Sequence, residues 1–265
     1  MARTYKALAV LLGYPTEDIQ ALAPAAMEVL EEERLVPPAI LRALGKLAAE
    51  LAGGDQFELQ ERYVWLFDRT RSLSLNLYEH IHGESRDRGQ AMVALKQLYS
   101  QKGLELAGGE LPDHLPVFLE FLSTLPDADA ASLLGEAAHV VGALGERLHQ
   151  RGSVYRAVFG ALAALSASGA DKAALAALLA EPDDDPGDLA AMDRLWAETA
   201  VTFGPTVPPP CGEGRSEGPG WGSQGQQGTV ERSSDAPTLT AARSVRPADG
   251  ERARRTVVIQ RRGAS

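Results

Sequence analysis

Apolar residues recur at helical spacing through the first 203 residues, and no segment shows convincing strand alternation. A first helix begins near the N-terminus, another opens at Pro37-Pro38 and ends at Gly53-Gly54, and the last spans 189–203. The remaining predicted helices start near Thr16, Gln56, Asp87 and Asp113, or span 130–149, 154–165 and 172–179. The pattern therefore predicts an all-α fold, a single multi-helix bundle.

Three local signals sharpen this prediction. From about Gln56 to Phe67 apolar residues cover most of the helix circumference, which predicts a central, buried helix. These residues are Phe57, Leu59, Tyr63, Val64, Trp65, Leu66 and Phe67. Asp87 and Gln90 stand at capping-box spacing, so a helix is predicted to begin near Asp87. Asp113 is predicted to cap the helix that follows it.

The composition changes after Gly204. Residues 205–265 are rich in Gly, Pro, Ser and Gln and poor in aliphatic residues, so they bury too little apolar surface to offset their ordering entropy. We therefore predict one helical domain over 1–204 and a mostly disordered tail over 205–265. Thr256–Ile259 has the composition of a strand, although it would not be stable alone.

The uneven distribution of charge along the chain narrows the classes of partner that the protein can bind. Residues 1–204 hold 17 Lys+Arg against 30 Asp+Glu, whereas 205–265 hold 9 against 6. An acidic body is a poor partner for nucleic acid and a better one for a basic peptide. The single cysteine, Cys211, excludes an internal disulfide or thiolate metal site, and cytoplasmic residence follows. The apolar run 7–12 predicts an ordinary first helix, and no run approaches the roughly 18 residues of a membrane span.

The most unusual stretch is EHIHGESRDRGQAM, residues 79–92. One interpretation is a metal-dependent enzyme that uses His80, His82 and His114. The first two are separated by two positions, which suits chelation from a strand but not from a helix. No HExxH motif, phosphate loop or nucleophile elbow accompanies them, so metal binding and acid–base catalysis have little support.

A second interpretation is a binding surface. Four arginines near this stretch supply forked donors that suit carboxylates and backbone carbonyls. They are Arg69, Arg71, Arg86 and Arg88, and the acids available to pair with them are Glu79, Glu84, Asp87 and Asp113. The same network can shape the fold internally and still offer its rim to a partner, so both roles stay open.

Two segments carry a family resemblance: YVWLFDRTRSLSLNLYEHIHGESRDRGQAMVAL, residues 63–95, and ELPDHLPVFLEFLS, residues 110–123. They closely resemble the NarJ family, the nitrate reductase molybdenum cofactor assembly chaperones within the wider TorD-like group. The aromatic-x-x-Leu-Phe element of that group corresponds to Tyr63, Leu66 and Phe67. Its Glu-Pro-x-Asp-His-like element corresponds to 110–114, with Leu111 and Pro112 departing slightly. The HGESRDRGQAM run points specifically to NarJ.

The resemblance implies a cytoplasmic chaperone with no catalytic activity and no stably bound cofactor, which assists molybdenum cofactor insertion into its client. The implied client is the apo catalytic α subunit of membrane nitrate reductase, alone or in the α–β complex, bound through a basic N-terminal segment. A chaperone for another molybdoenzyme is the alternative. Neither nucleic acid binding nor stable membrane association is implied. The expected client-binding residues are Tyr63, Phe67, Arg69, Arg71, His80, His82, Glu84, Arg86, Asp87, Arg88, Asp113 and His114. We also expect His82 or His114 to make binding depend on pH near 6.5.

Overall fold

The computed structural model describes residues 3–83, 85–107, 109–183, 187 and 258–261. Its helices are α1 Arg3–Leu11, α2 Glu17–Glu33, α3 Pro38–Gly53, α4 Gln56–Tyr63, a π-helix Val64–Asp68, a 3-10 turn Arg71–Leu73, α5 Leu77–His82, α6 Arg86–Gln101, α7 Leu115–Leu122, α8 Asp127–Glu136, α9 Ala138–Gln150, α10 Arg156–Leu165 and α11 Lys172–Ala180. Two short strands, β1 Leu104–Ala107 and β2 Val258–Arg261, complete the described elements. The predicted all-α bundle is confirmed.

The core is built around α7, whose eight residues are mostly leucine and phenylalanine. Seven of them are buried, and α1 packs directly against this helix. α1 also packs on α2, and α2 on α3, each through an apolar stripe at helical spacing. Burial of this kind contributes about 25 cal/mol per Å² of apolar surface, so the long helices are held mainly by their packing.

The boundaries differ from the prediction in one long helix. Residues 130–149 were predicted as a single helix, but α8 ends at Glu136 and α9 begins at Ala138. Ala137 has φ −94° and ψ 5°, outside the helical region, so the chain changes direction there. The predicted last helix, 189–203, and the predicted boundary at 204 lie outside the described residues.

The segment 56–68 is only partly buried, contrary to the sequence prediction. Asp55 Oδ1 caps α4 by accepting from the backbone N–H groups of Phe57 and Glu58 at 3.0 and 3.1 Å. The inner side packs into the core, but Phe57 is 79% exposed and Trp65 41% exposed. The helix lies at the surface, where only one side meets the core, so a continuous apolar circumference did not mean a central position.

The C-terminal segment contains a strand, as the sequence predicts, but the bounds of that strand differ from the predicted ones. β2 pairs antiparallel with β1 in the register Leu104–Arg261, Glu105–Gln260, Leu106–Ile259 and Ala107–Val258. The predicted strand was Thr256–Ile259, so the observed one lies two residues later. The rest of the predicted disordered tail lies outside the described residues.

Two compact units divide the chain. All described residues fall in the first, which comprises 1–189 and 247–265, while 190–246 form the second. Within the described ranges, no helix has both the length and the apolar character required to cross a bilayer.

Candidate functional site

Two segments that carry the family resemblance meet through their backbones. Asn76 and His114 form an antiparallel β-bridge. On either side of it, Leu77 N–H donates to Asp113 O at 3.0 Å and Leu115 N–H donates to Leu75 O at 2.8 Å. The bridge brings Asp113 and His114 beside the charged stretch 79–92, although the two segments are about 35 residues apart in sequence.

Asp113 caps a different helix from the one predicted. Its side chain is fully buried, and Oδ2 accepts from the backbone N–H of Tyr78 in the first turn of α5, at 3.1 Å. α7, by contrast, begins after His114 without a side-chain cap. The bridge brings the carboxylate to the start of α5, so tertiary contact overrides the local capping signal. A carboxylate there accepts a hydrogen bond from an otherwise unpaired N–H and interacts favourably with the helix dipole.

Glu79 is the centre of the charged network. Its Oε2 accepts from Ser74 Oγ at 2.7 Å and lies 4.0 Å from Arg88 Nη2. Its Oε1 lies 3.6 Å from Arg71 Nε. Arg88 Nη2 is also 4.0 Å from Asp113 Oδ2, so one guanidinium lies between two carboxylates. The predicted internal pairing therefore holds for Arg71 and Arg88.

The capping-box spacing of Asp87 and Gln90 predicts an N-cap two residues later than the one observed. Ser85 is the N-cap position, Arg86 is the first helical residue, and Asp87 follows in the first turn. Arg86 and Asp87 are exposed, so both face solvent at the rim of the network. Asp87 still interacts favourably with the helix dipole from this position.

A buried arginine that sequence reasoning missed holds the network to the bundle. Arg147, on α9, is only 3% exposed. Its guanidinium donates to Ser72 O at 2.8 Å, Leu178 O at 2.7 Å and Glu181 O at 3.3 Å. It thereby joins the 3-10 turn to α9 and to the end of α11. In the sequence this arginine sits in a helical pattern of ordinary amphipathic appearance, so no local signal marked it.

Two histidines of the site are neutral at pH 7. Burial lowers the pKa of His80, whose Nε2 donates to Ser74 O at 2.7 Å. Burial also lowers the pKa of His114 to about 4, although the nearby Asp113 carboxylate opposes that shift. His114 therefore does not titrate near 6.5, which overturns its predicted role in a pH response there.

The lowered pKa of His114 predicts a loss of stability in acid. An unfolded histidine takes up its proton near pH 6.5, whereas the folded one resists protonation until about pH 4. The stabilisation is present above pH 6.5 and is lost as pH falls through that window, by about 2 kcal/mol between pH 7 and 5. We expect urea titrations of His114→Gln to lose about 2 kcal/mol less than wild type over this range. Equal losses in the two proteins would contradict the assignment.

Three buried polar atoms in the cluster have no hydrogen-bond partner among the described residues: Asp113 Oδ1, Arg88 Nε and His114 Nδ1. The carboxylate nearest to His114 Nδ1 belongs to Glu110, 3.8 Å away and too far for a hydrogen bond. Buried polar groups are normally paired, so these three atoms mark a place that is polar, close to the surface and incompletely satisfied.

The remaining predicted residues are dispersed. Tyr63 and Phe67 are buried with ring centroids 4.9 Å apart, beneath the surface. Arg69 lies over the Trp65 ring at 5.6 Å, away from the charged network. His82 packs against Tyr78 at 5.8 Å. Glu84 lies outside the described residues.

The metal interpretation finds no support in the geometry. Across the described part of the chain, no group of three or more His, Cys, Asp or Glu side chains is arranged to hold a metal ion. His80 donates to a carbonyl, and His82 lies against an aromatic ring.

The structure also contains a surface cleft that the sequence did not predict. A cleft of about 270 Å³ lies beside the π-helix. Its lining residues are Tyr14, Gln60, Glu61, Val64, Trp65 and Arg69. The exposed rings of Phe57 and Trp65 flank acidic Glu58 and Glu61 on the same helical segment. π-helical turns often occur at functional sites, and the insertion of a residue was not visible in the apolar pattern.

Comparison with known proteins places this geometry in a family. Residues 33–161 match the family described as "Nitrate reductase delta subunit". The chain is 40% identical over 195 residues to the Escherichia coli K12 "Nitrate reductase molybdenum cofactor assembly chaperone NarJ", covering 73% of this chain and 81% of that protein.

Two further relatives agree. The "Probable nitrate reductase molybdenum cofactor assembly chaperone NarW" of the same strain is 36% identical over 199 residues, covering 75% of this chain and 82% of the relative. The probable NarJ of Bacillus subtilis is 30% identical over 154 residues, covering 57% of this chain and 82% of the relative. The sequence resemblance is thus confirmed, and the chain belongs to the NarJ family of nitrate reductase molybdenum cofactor assembly chaperones.

Proposed function

We propose that this protein is a dedicated assembly chaperone for nitrate reductase. It binds the N-terminal segment of the apo catalytic α subunit, alone or within the α–β complex, in the cytoplasm. It keeps that subunit competent for insertion of the molybdenum cofactor and iron–sulfur centres before membrane attachment. The chaperone catalyses no reaction and holds no cofactor stably. The names of the relatives support the client class.

One structural observation carries the proposed binding site: the charged network combines exposed ionic groups with incompletely satisfied buried ones. Arg88 Nε and Asp113 Oδ1 lack partners in the described structure, while Asp87 and Arg86 stand at the adjacent rim. A peptide that supplies donors and acceptors here would satisfy groups that have no partner among the described residues.

Electrostatics favours a basic peptide. Residues 1–204 carry 30 acidic against 17 basic side chains. A basic segment is therefore attracted over a distance of about one Debye length, near 8 Å at physiological salt. An amphipathic helical segment would add apolar contacts to this attraction, as in other helix-in-groove complexes.

Calorimetric titration of the full chain with a peptide from the N-terminus of the α subunit tests the proposal. We expect saturable one-to-one binding that weakens as salt rises, because exposed charges are screened. Peptides from the N-termini of other molybdoenzymes serve as controls. Stronger binding of one of those peptides would identify that molybdoenzyme as the client instead. If none of the peptides binds, recognition through an N-terminal segment is refuted.

Reversing the charge of Asp87 should weaken this binding while leaving the domain folded. Asp87→Lys replaces an exposed carboxylate at the rim by a cation that repels a basic peptide, and we expect about tenfold weaker binding at low salt. The change also loses a favourable helix-dipole interaction, about 0.3–1 kcal/mol of stability. Calorimetry measures the affinity and urea unfolding the stability.

Asp129→Lys is the matched control for that substitution. Asp129 is also an exposed acid in the first turn of a helix, α8. Replacing it by lysine therefore makes the same change in charge and loses the same kind of helix-dipole interaction. Affinity should fall with Asp87→Lys and much less with Asp129→Lys. Equal effects would mean that net charge alone guides the peptide and that the network is not the binding site.

A further inference from the structure

The helix α11 and the three residues that follow it, 181–183, bury little apolar surface. All nine residues of α11 lie in the described part of the chain, and Leu178 alone among them is buried. Leu175 packs against the core in a partly buried position. An element with so few buried apolar contacts opens locally at a lower free energy than the core does. Residues 181–183, called the strap below, are therefore held mainly by polar contacts.

Asp183 fastens the strap to two other elements. Its carboxylate accepts hydrogen bonds from Ser72 Oγ at 2.6 Å and from Arg151 Nη2 and Nε at 2.7 and 3.2 Å. Ser72 belongs to the 3-10 turn, and Arg151 directly follows α9. Burial alone would raise the pKa of Asp183, but the hydrogen bonds from Arg151 and Ser72 outweigh it and lower that pKa. The carboxylate is therefore ionised at neutral pH, and its bonds to the arginine are of the strong, charge-assisted kind.

The turn that the strap holds leads directly into the charged network. Arg71, in the turn, places Nε 3.6 Å from Glu79 Oε1. Ser74, just after the turn, donates to Glu79 Oε2 at 2.7 Å. Between them, the carbonyl and the hydroxyl of Ser72 both bond outside the turn, the first to α9 and the second to the strap. The strap thus contacts the residue that separates two partners of Glu79.

We infer that Asp183 is a positioning residue for client binding, because the docked strap holds the turn and thereby the charged network in the geometry that receives the peptide. This inference rests on the proposed function. A network ordered before the peptide arrives binds it more tightly, since less ordering entropy is lost on binding. Linkage is reciprocal, so a bound peptide also favours the docked strap by the same factor.

Hydrogen exchange of the full-length chain without any client tests whether the strap holds the turn. The amides of Leu73 and Ser74 donate to carbonyls within the turn. We expect them to exchange at least about threefold faster in Asp183→Ala than in wild type. Asp171→Ala is the matched control, because it removes an exposed carboxylate that caps the other end of α11. It should leave the exchange of the turn unchanged. Unchanged exchange of the turn in Asp183→Ala would overturn the inference.

Calorimetric titration with the α-subunit peptide tests the effect on binding. Asp183→Ala and Ser72→Ala should each bind the peptide at least about fivefold more weakly than wild type. Ser72→Ala does so without any change in charge, whereas Asp171→Ala loses the same charge as Asp183→Ala and should bind as wild type does. Wild-type affinity in both Asp183→Ala and Ser72→Ala would overturn the inference. Equal losses in Asp171→Ala and Asp183→Ala would also overturn it, because net charge would then explain the effect.

The reciprocal measurement separates positioning from general destabilisation. Saturating peptide should slow the exchange of the 178–181 amides in wild type, and this protection should be lost in Ser72→Ala. A strap with a purely structural role would show the same exchange with and without peptide, and that result would overturn the inference. If wild type binds no α-subunit peptide, the proposed client is refuted, and the exchange of the turn in Asp183→Ala decides by itself whether the strap orders the network.

Discussion

Replacing Arg147 by methionine is expected to lower the free energy of unfolding by about 4 kcal/mol. Methionine is similar in length but donates no hydrogen bond, so the carbonyls of Ser72, Leu178 and Glu181 lose their shared donor. An acceptor left unsatisfied in the interior costs about 1–3 kcal/mol. Because Ser72 belongs to the turn that precedes the charged network, client affinity should fall together with stability.

Urea unfolding followed by circular dichroism measures this effect, with Arg42→Met as the matched control. Arg42 is an exposed arginine on α3, and its replacement should change stability by no more than about 0.5 kcal/mol. Arg147→Lys should recover only part of the loss, because one ammonium group does not reproduce the planar fork of donors. A loss below about 1 kcal/mol for Arg147→Met would mean that water replaces the guanidinium at these carbonyls.

Replacing Asp113 by alanine is the second large effect, and we expect a loss of about 3 kcal/mol. The substitution removes the acceptor of the Tyr78 N–H and leaves Arg88 with one of its two carboxylate neighbours. The start of α5 then loses its cap. Asp113 Oδ1 has no hydrogen-bond partner within the described ranges, and removing such a buried oxygen offsets part of this loss.

Two comparisons distinguish these contributions. Asp113→Asn keeps an acceptor oxygen for Tyr78 N–H and should cost less than alanine. Asp55→Ala removes an exposed cap of the same chemical type from α4 and should cost about 1 kcal/mol. In a double-mutant cycle with Arg88→Met, a coupling energy above about 0.5 kcal/mol is expected for the Arg88–Asp113 pair. Additive losses would show that capping alone accounts for the effect of Asp113.

The surface of α4 shows why sequence patterns locate a helix better than they locate its surroundings. Phe57 and Trp65 belong to the apolar set of this segment, yet Phe57 is 79% exposed, and Trp65 is 41% exposed and lines a cleft. A helical wheel records which side chains are apolar but not how many sides of the helix meet other elements. The π-turn at 64–68 inserts one residue and shifts the facing of those that follow, which no periodicity of 3.6 represents.

The capping residues show in the same way that sequence predicts local contacts of polar groups better than contacts across the fold. The helix predicted to start near Thr16 is capped by that residue, because its hydroxyl and the N–H of Ile19 belong to one local turn. Asp113 met the same local criterion but caps α5, because the bridge between Asn76 and His114 brings that helix closer. Likewise, the position of Arg147 among three carbonyls depends on where α9 packs, and no neighbouring residue in sequence foretells it.

The sequence alone determined the all-α class, most helix positions and the family, because these depend on local periodicity and on a long specific motif. It also identified the residue types of the charged network. Tertiary structure decided which helix Asp113 caps, which arginine is buried, why His114 stays neutral, and what pairs with β1. Each of these depends on the dielectric surroundings or on contacts between residues far apart in the chain, and only the folded arrangement of helices creates those conditions.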